Sequence, residues 1–146
     1  LHARSGKAGE HRLWGNYADA LRRAGRSADA IDAYAEAIRL ADRDAAQGDR
    51  NPVHESHLAF YREMLAELDA PGWRGRRTPA AELQRLATAN DPVSLTYVAA
   101  VLRRRGDVPR AREVLERATA SCPGYGESPD LKPEPVAGGE QVRASG

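Results

Sequence analysis

Apolar positions recur along this chain at the spacing of a helix face, and few runs alternate in the way of a strand. The first apolar stripe is Leu13, Tyr17, Ala20, Leu21 and Ala24, bordered by Trp14, and it predicts a helix from about Glu10 to Ala24. Gly25 is placed to end that helix in the left-handed region. Ser27 is placed to cap a second helix, with Asp29 in its first turn. Ala30, Ile31, Tyr34, Ala37, Ile38 and Ala41 form its apolar face, and a charged extension through Ala46 frays at Gly48. Asn51-Pro52 breaks the chain before a third helix, about His54 to Leu68, with Leu58, Tyr61, Leu65 and Leu68 on one face. Pro71, Gly72 and Gly75 give turn chemistry to the Trp73 stretch, which reads as a loop. Thr78-Pro79 and Asp91-Pro92 each read as a cap followed by a proline in the first turn. The fourth helix then carries Ala80, Leu83, Leu86 and Ala87, and the fifth Leu95, Val98, Ala99 and Leu102. Gly106 ends the fifth, and a sixth begins at Asp107 or Val108 with Ala111, Val114, Leu115 and Ala118 inside.

The flanks carry no such pattern. Residues 1–10 read as a flexible linker. Residues 124–146 are mostly Gly, Pro, Ser and charge, too poor in apolar surface to offset ordering entropy of about 1–2 kcal/mol per residue. They read as a disordered tail, with Tyr125 and Leu131 placed to dock on the last helix. The first residue is not Met, which fits a fragment of a longer protein, a processed start or an engineered one alike.

Composition narrows the function classes. Phe occurs once, so the core must be Ala, Leu, Ile and Val, a mixture that suits closely approaching helices. The net charge of +1, from 22 basic and 21 acidic residues, gives no global pull toward nucleic acid or an anionic membrane. Nearly all the cations are Arg, with Lys only at Lys7 and Lys132. They are spread over the whole chain, as a composition bias would spread them. Cys122 is the only cysteine, so no internal disulfide forms, and a cytoplasmic setting is the simplest expectation. No apolar run approaches the roughly 20 residues of a membrane span. No apolar segment like that of a signal peptide opens the chain.

Two stretches repeat one another. Leu21-Arg22-Arg23, Gly25 and Ala30 return as Leu102-Arg103-Arg104, Gly106 and Ala111. Around the first lie Trp14, Ala18, Leu21, Gly25, Ala30, Tyr34 and Ala37. Around the second lie Leu95, Ala99, Leu102, Gly106, Ala111, Leu115, Ala118 and Pro123. At these spacings the chain resembles a tetratricopeptide-repeat protein over about residues 11–123. The resemblance implies an all-α fold of three stacked helix–turn–helix repeats (11–49, 52–90 and 91–123) in a right-handed superhelix. Gly25 and Gly106 lie further apart than two repeats of about 34 residues. A degenerate middle repeat with a long helix and the inserted Trp73 loop accounts for the surplus. The words RLWGNYADALR, HLAFYREMLAEL and CPGYGESPDLKP also resemble the C-terminal repeat regions of bacterial signalling proteins, such as Ser/Thr kinases, nucleotide cyclases and winged-helix regulators.

What the resemblance implies is a protein-interaction scaffold rather than an enzyme, or the regulatory or dimerising tail of such a signalling protein. First helices of the repeats would line a concave groove, so Arg22, Arg23, Arg103 and Arg104, with Arg12 and Asp19, would form a rim for a protein or peptide, possibly acidic. The other reading of these arginines is that each favours a helix C-terminus and stays solvated. Gly15 and Asp19 stand where chaperone-binding members need Lys and Asn, which argues against a chaperone-tail receptor. An apolar terminal face would leave self-association open. His54 and His57, with Glu55 between, share one helix face, yet no third or fourth ligand is evident, and a solvated or capping role is expected rather than a metal. The Trp73-Arg74-Gly75-Arg76-Arg77 loop could take an anion or stack on a base, but a mobile insertion whose Trp packs on the third and fourth helices is expected. No hydrolytic triad, phosphate loop or cofactor motif is present.

Overall fold

A computed structural model describes residues 9–48 and 51–121. The linker residues before Gly9, Cys122 and the tail of residues 124–146 lie outside the described residues. The order is α1 (Glu10–Arg23), α2 (Ser27–Ala46), α3 (Pro52–Glu67), a 3-10 turn (Arg74–Arg76), α4 (Ala80–Leu86), α5 (Pro92–Arg104) and α6 (Val108–Ser121). The protein is all-α, with no strand among the described residues. None of these helices is long and apolar enough to cross a membrane. α1 packs on α2, α2 on α3, α3 on α5 and α5 on α6, while α4 touches α3 and α5. Two helix hairpins thus flank α3, and the short α4 fills the remaining side. One continuous core results, with Ala18, Tyr34, Met64, Leu65, Val98 and Ala118 inaccessible to solvent.

Local chemistry explains the turns. At Gly25 the backbone φ is 82°, and the N–H groups of Gly25 and Arg26 donate to the carbonyls of Arg22 and Leu21 at 3.0 and 2.9 Å. At Gly106 φ is 89°, and Gly106 and Asp107 donate to Arg103 and Leu102, both at 3.0 Å. This is the double hydrogen bond of a Schellman turn, which satisfies carbonyls that a helix end leaves open. The same turn ends α3, where the left-handed residue is Asp69 with φ 64°. Asp69 and Ala70 donate to Ala66 and Leu65 at 3.1 and 3.0 Å. Asp tolerates this conformation better than most side chains, so the turn of the middle helix pair carries no glycine to mark it.

Two local expectations are corrected. Ser27 is the first residue of α2 rather than its cap. The Schellman turn delivers the chain straight into helix, so the Arg26 carbonyl already accepts from Ala30 N–H at 2.9 Å. Pro79, not Thr78, is the N-cap of α4. Arg105 Nη2 takes the Thr78 carbonyl at 2.6 Å, and the Thr78 hydroxyl is buried with no partner. The Trp73 loop is anchored through its Trp, in keeping with the expected packing. Trp73 packs on the core, Arg76 lies over its ring at 4.1 Å, and Arg77 reaches Glu63 at 2.8 Å. Asp91 likewise caps α5 as expected, accepting from Ser94 N–H at 2.9 Å, while Asn51, read only as a chain break, caps α3 by accepting from His54 N–H at 2.9 Å.

The largest correction concerns α1. Its buried residues are His11, Gly15, Ala18, Asp19 and Leu21. Leu13 is 70 % exposed and Tyr17 53 %, and Ala20 and Ala24 are exposed too. The helix is turned so that its smallest residues meet its neighbours, because small side chains let helix axes approach most closely. Gly15 carries this contact: a Cβ there would lie 2.6 Å from Tyr61 Cε1 and 2.7 Å from its hydroxyl oxygen.

Candidate functional site

The Tyr61 ring of α3 seats against Gly15 of α1, and the start of α1 lies beside the starts of α3 and α5. Between them lies an open cleft of about 530 Å³. It is lined by His11 and Arg12 of α1, by His54 and His57 of α3, and by Asn90 and Asp91 ahead of α5. Arg12 is exposed, and its guanidinium makes no hydrogen bond or ion pair with the described residues. A side chain on Gly9 would collide with it, since a Cβ there would stand 2.8 Å from Arg12 Nη2.

The floor is a cluster of three imidazoles. His11, His54 and His57 are each only 4 % exposed, so the solvated role expected for His54 and His57 is overturned. Burial on α3 follows from the two helices that cover that face. The His11 ring centre lies 5.3 Å from that of His54 and 5.4 Å from that of His57, edge to face in both cases. Tyr61 and Tyr97 close the cluster from α3 and α5. His57 Nδ1 is 2.8 Å from the Val53 carbonyl, which can only accept, so this nitrogen carries the proton. His57 Nε2 is therefore bare. The Tyr61 hydroxyl lies 3.3 Å from the His11 carbonyl and 3.0 Å from His11 Nδ1, a contact that either tautomer of the His11 ring makes. His54 Nε2 is buried without a partner. Burial holds the pKa of His11 down at about 4, with the neighbouring His57 and His54 adding to the effect. Burial likewise holds His57 at about 4, against the opposing pull of the Val53 carbonyl. At neutral pH His11 and His57 are therefore uncharged below the Arg12 guanidinium. Among the described residues no group of three His, Cys, Asp or Glu side chains is arranged to hold a metal ion.

The six rim residues read from the sequence divide into separate places. Arg12 borders the cleft. Asp19 and Arg22 belong to an interior network: the Tyr34 hydroxyl donates to Asp19 Oδ1, Arg22 Nε donates to the Tyr34 oxygen at 3.0 Å, and Arg22 pairs with Asp19 at 3.5 Å. Burial raises the Asp19 pKa, while Tyr34 and Arg22 oppose the rise. Arg23 is exposed on the last turn of α1, and Arg103 is half-buried on the last turn of α5. Arg104 meets Glu67 at 2.5 Å beside a smaller pocket of about 320 Å³, near the far end of α3. That pocket is walled by Glu63, Arg74 and Arg77 as well, so acidic and basic groups there offset one another.

Sequence reasoning missed His11 and Asp91 as lining groups. One signal was available. His11, Gly15 and Ala18 fall at i, i+4 and i+7, and a glycine inside a helical pattern marks a close approach. Comparison with protein-family models, curated proteins and solved structures returned no match.

Proposed function

We propose that this chain is a non-catalytic protein-interaction module of tetratricopeptide-like helix hairpins, and that it seats an acidic side chain of a partner in the Arg12 cleft. The observation that carries this reading is a guanidinium, unpaired among the described residues, at the mouth of a cleft with a polar imidazole floor. A carboxylate there gains a charge-assisted hydrogen bond without first breaking an existing ion pair. The recurrence of one turn geometry at Gly25, Asp69 and Gly106 supports the repeat reading. Asp19, Arg22 and Arg104 have partners of their own, which moves the seat away from the broad basic rim. The reading is tested by calorimetric titration with a short polyglutamate peptide. Arg12→Glu is expected to weaken binding by about tenfold or more, the range of a charged hydrogen bond lost. Arg112→Glu makes the same charge change at an exposed position of α6 and is expected to leave binding unchanged. Equal losses for both variants would reduce the effect to net charge.

A second reading has its own observation. Leu13 and Tyr17 stand exposed on one face of α1, with the half-buried Trp14 ring meeting Tyr17 edge to face. A contiguous apolar face favours self-association, as in a dimerising tail of a signalling protein. Sedimentation equilibrium is expected to show a dimer that Leu13→Glu abolishes. A monomer at all concentrations tested would remove this reading and leave the first intact.

A further inference from the structure

The floor of the Arg12 cleft is built of proton acceptors. His57 commits Nδ1–H to the Val53 carbonyl at 2.8 Å and leaves Nε2 bare, and neutral His11, with Nδ1 3.0 Å from the Tyr61 hydroxyl, likewise keeps one ring nitrogen unprotonated. His54 Nε2 has no partner at all. Charged and titratable groups face the cluster from every helix around it. Arg12 comes from α1, Asp44 from α2, Tyr61 from α3, and Asp91 and Tyr97 from the α5 side. Both carboxylates have other duties. Asp44 accepts from Gly9 N–H at 2.9 Å and lies 3.5 Å from Arg43, while Asp91 accepts from the Ser94 N–H and hydroxyl at 2.9 and 3.3 Å. A proton on His11 or His57 is buried, close to the other rings and to Arg12, and burial keeps both of these rings neutral.

A bound anion reverses that balance. We propose that an acidic group seated beside Arg12 draws a proton from solvent onto the His11–His54–His57 cluster, so that the cleft binds its partner with net proton uptake and more tightly as pH falls. The proton comes from water or buffer and forms an N–H bond at a bare ring nitrogen. The imidazolium then faces the arriving carboxylate. The inference rests on the Arg12 cleft being the partner's seat. Linkage is reciprocal: what raises the proton affinity of the cluster must itself bind better when protons are abundant. A close opposite charge raises a proton affinity by about a hundredfold. Starting from a ring at about 4, that gives roughly fourfold tighter binding near pH 5.5 than near pH 7.5.

The test is calorimetric titration of the wild-type chain with a short polyglutamate peptide near pH 6, in two buffers of different ionisation enthalpy. Circular dichroism establishes that the chain is folded there. Uptake of about half a proton per peptide is expected, with imidazole nitrogen resonances moving on binding. Binding with equal heats in both buffers and no pH dependence would overturn the inference while leaving the seat in place. Proton uptake with unmoved imidazole resonances would also overturn it, by placing the proton elsewhere. Absence of binding at either pH would overturn the seat itself, and the inference with it.

Discussion

Lowering the pH from about 7.5 to 5 is expected to cost the fold about 2 kcal/mol for each of His11 and His57. Both rings have a folded-state pKa of about 4, below the 6.5 of an unperturbed histidine. Between these two values the unfolded chain binds the proton and the folded chain does not. Stability is thus full above about pH 6.5, and falls as pH drops toward 4. The upper part of this window lies above the range in which most carboxylates titrate, which isolates the histidines. A loss of this size is a large part of the 5–15 kcal/mol typical of a domain. Urea unfolding at intervals from pH 7.5 to 5 measures it, and His11→Asn is expected to flatten the curve. A denaturation midpoint that stays level over this range would mean that the rings are not held neutral by burial.

Glu63→Ala is expected to destabilise the chain by about 3 kcal/mol and to open the Trp73 loop. Glu63 is only 4 % exposed and accepts from two arginines. Arg77 donates through Nε and Nη2 at 3.3 and 2.8 Å, and Arg105 through Nε and Nη2 at 3.1 and 2.8 Å. Arg105 also holds the Thr78 carbonyl at 2.6 Å. One carboxylate therefore joins α3 to the loop and to the end of α5. Its removal leaves two cations facing each other, and the Arg105 side chain, 18 % exposed, cannot easily reach water. Arg77, at 44 %, can, which sets the loss at the lower end of the range for a broken buried pair. Glu63→Gln keeps the shape and an acceptor and is expected to lose less. Urea midpoints measure the stability, and the rate of tryptic cleavage after Arg74, Arg76 and Arg77 measures the loop. An unchanged midpoint together with unchanged cleavage would show that the triad holds nothing in place.

What was legible in the sequence was local. Asp91-Pro92 carries a cap and a fixed φ in adjacent residues and starts a helix as read, whereas Asn51-Pro52, read as a break, starts one in the same way. Gly25 and Gly106 announce their turns because few other residues adopt that backbone easily. Asp69 makes the same turn without the announcing residue. The register of α1 was misread for a different reason. Leu13 and Tyr17 are at helical spacing with Leu21, but which stripe is buried depends on what the helix packs against. Gly15 meets the Tyr61 ring, and that contact joins positions far apart in the chain. The histidine cluster was hidden in the same way. His54 and His57 were visible as a pair on one face, and their third member arrives from another helix. Of the six rim residues, Asp19 and Arg22 look like surface charges in sequence because Tyr34, their shared partner, sits across the first turn.

The seat at Arg12 is tested most directly by nuclear magnetic resonance. A short polyglutamate peptide is titrated into the labelled chain while backbone and imidazole resonances are followed. The largest shifts are expected at Arg12, His54, Asn90 and Asp91, with Arg23, Arg103 and Arg104 little changed. Shifts centred on Arg23, Arg103 and Arg104, with the histidine resonances still, would contradict the account and return the partner to the broad basic rim.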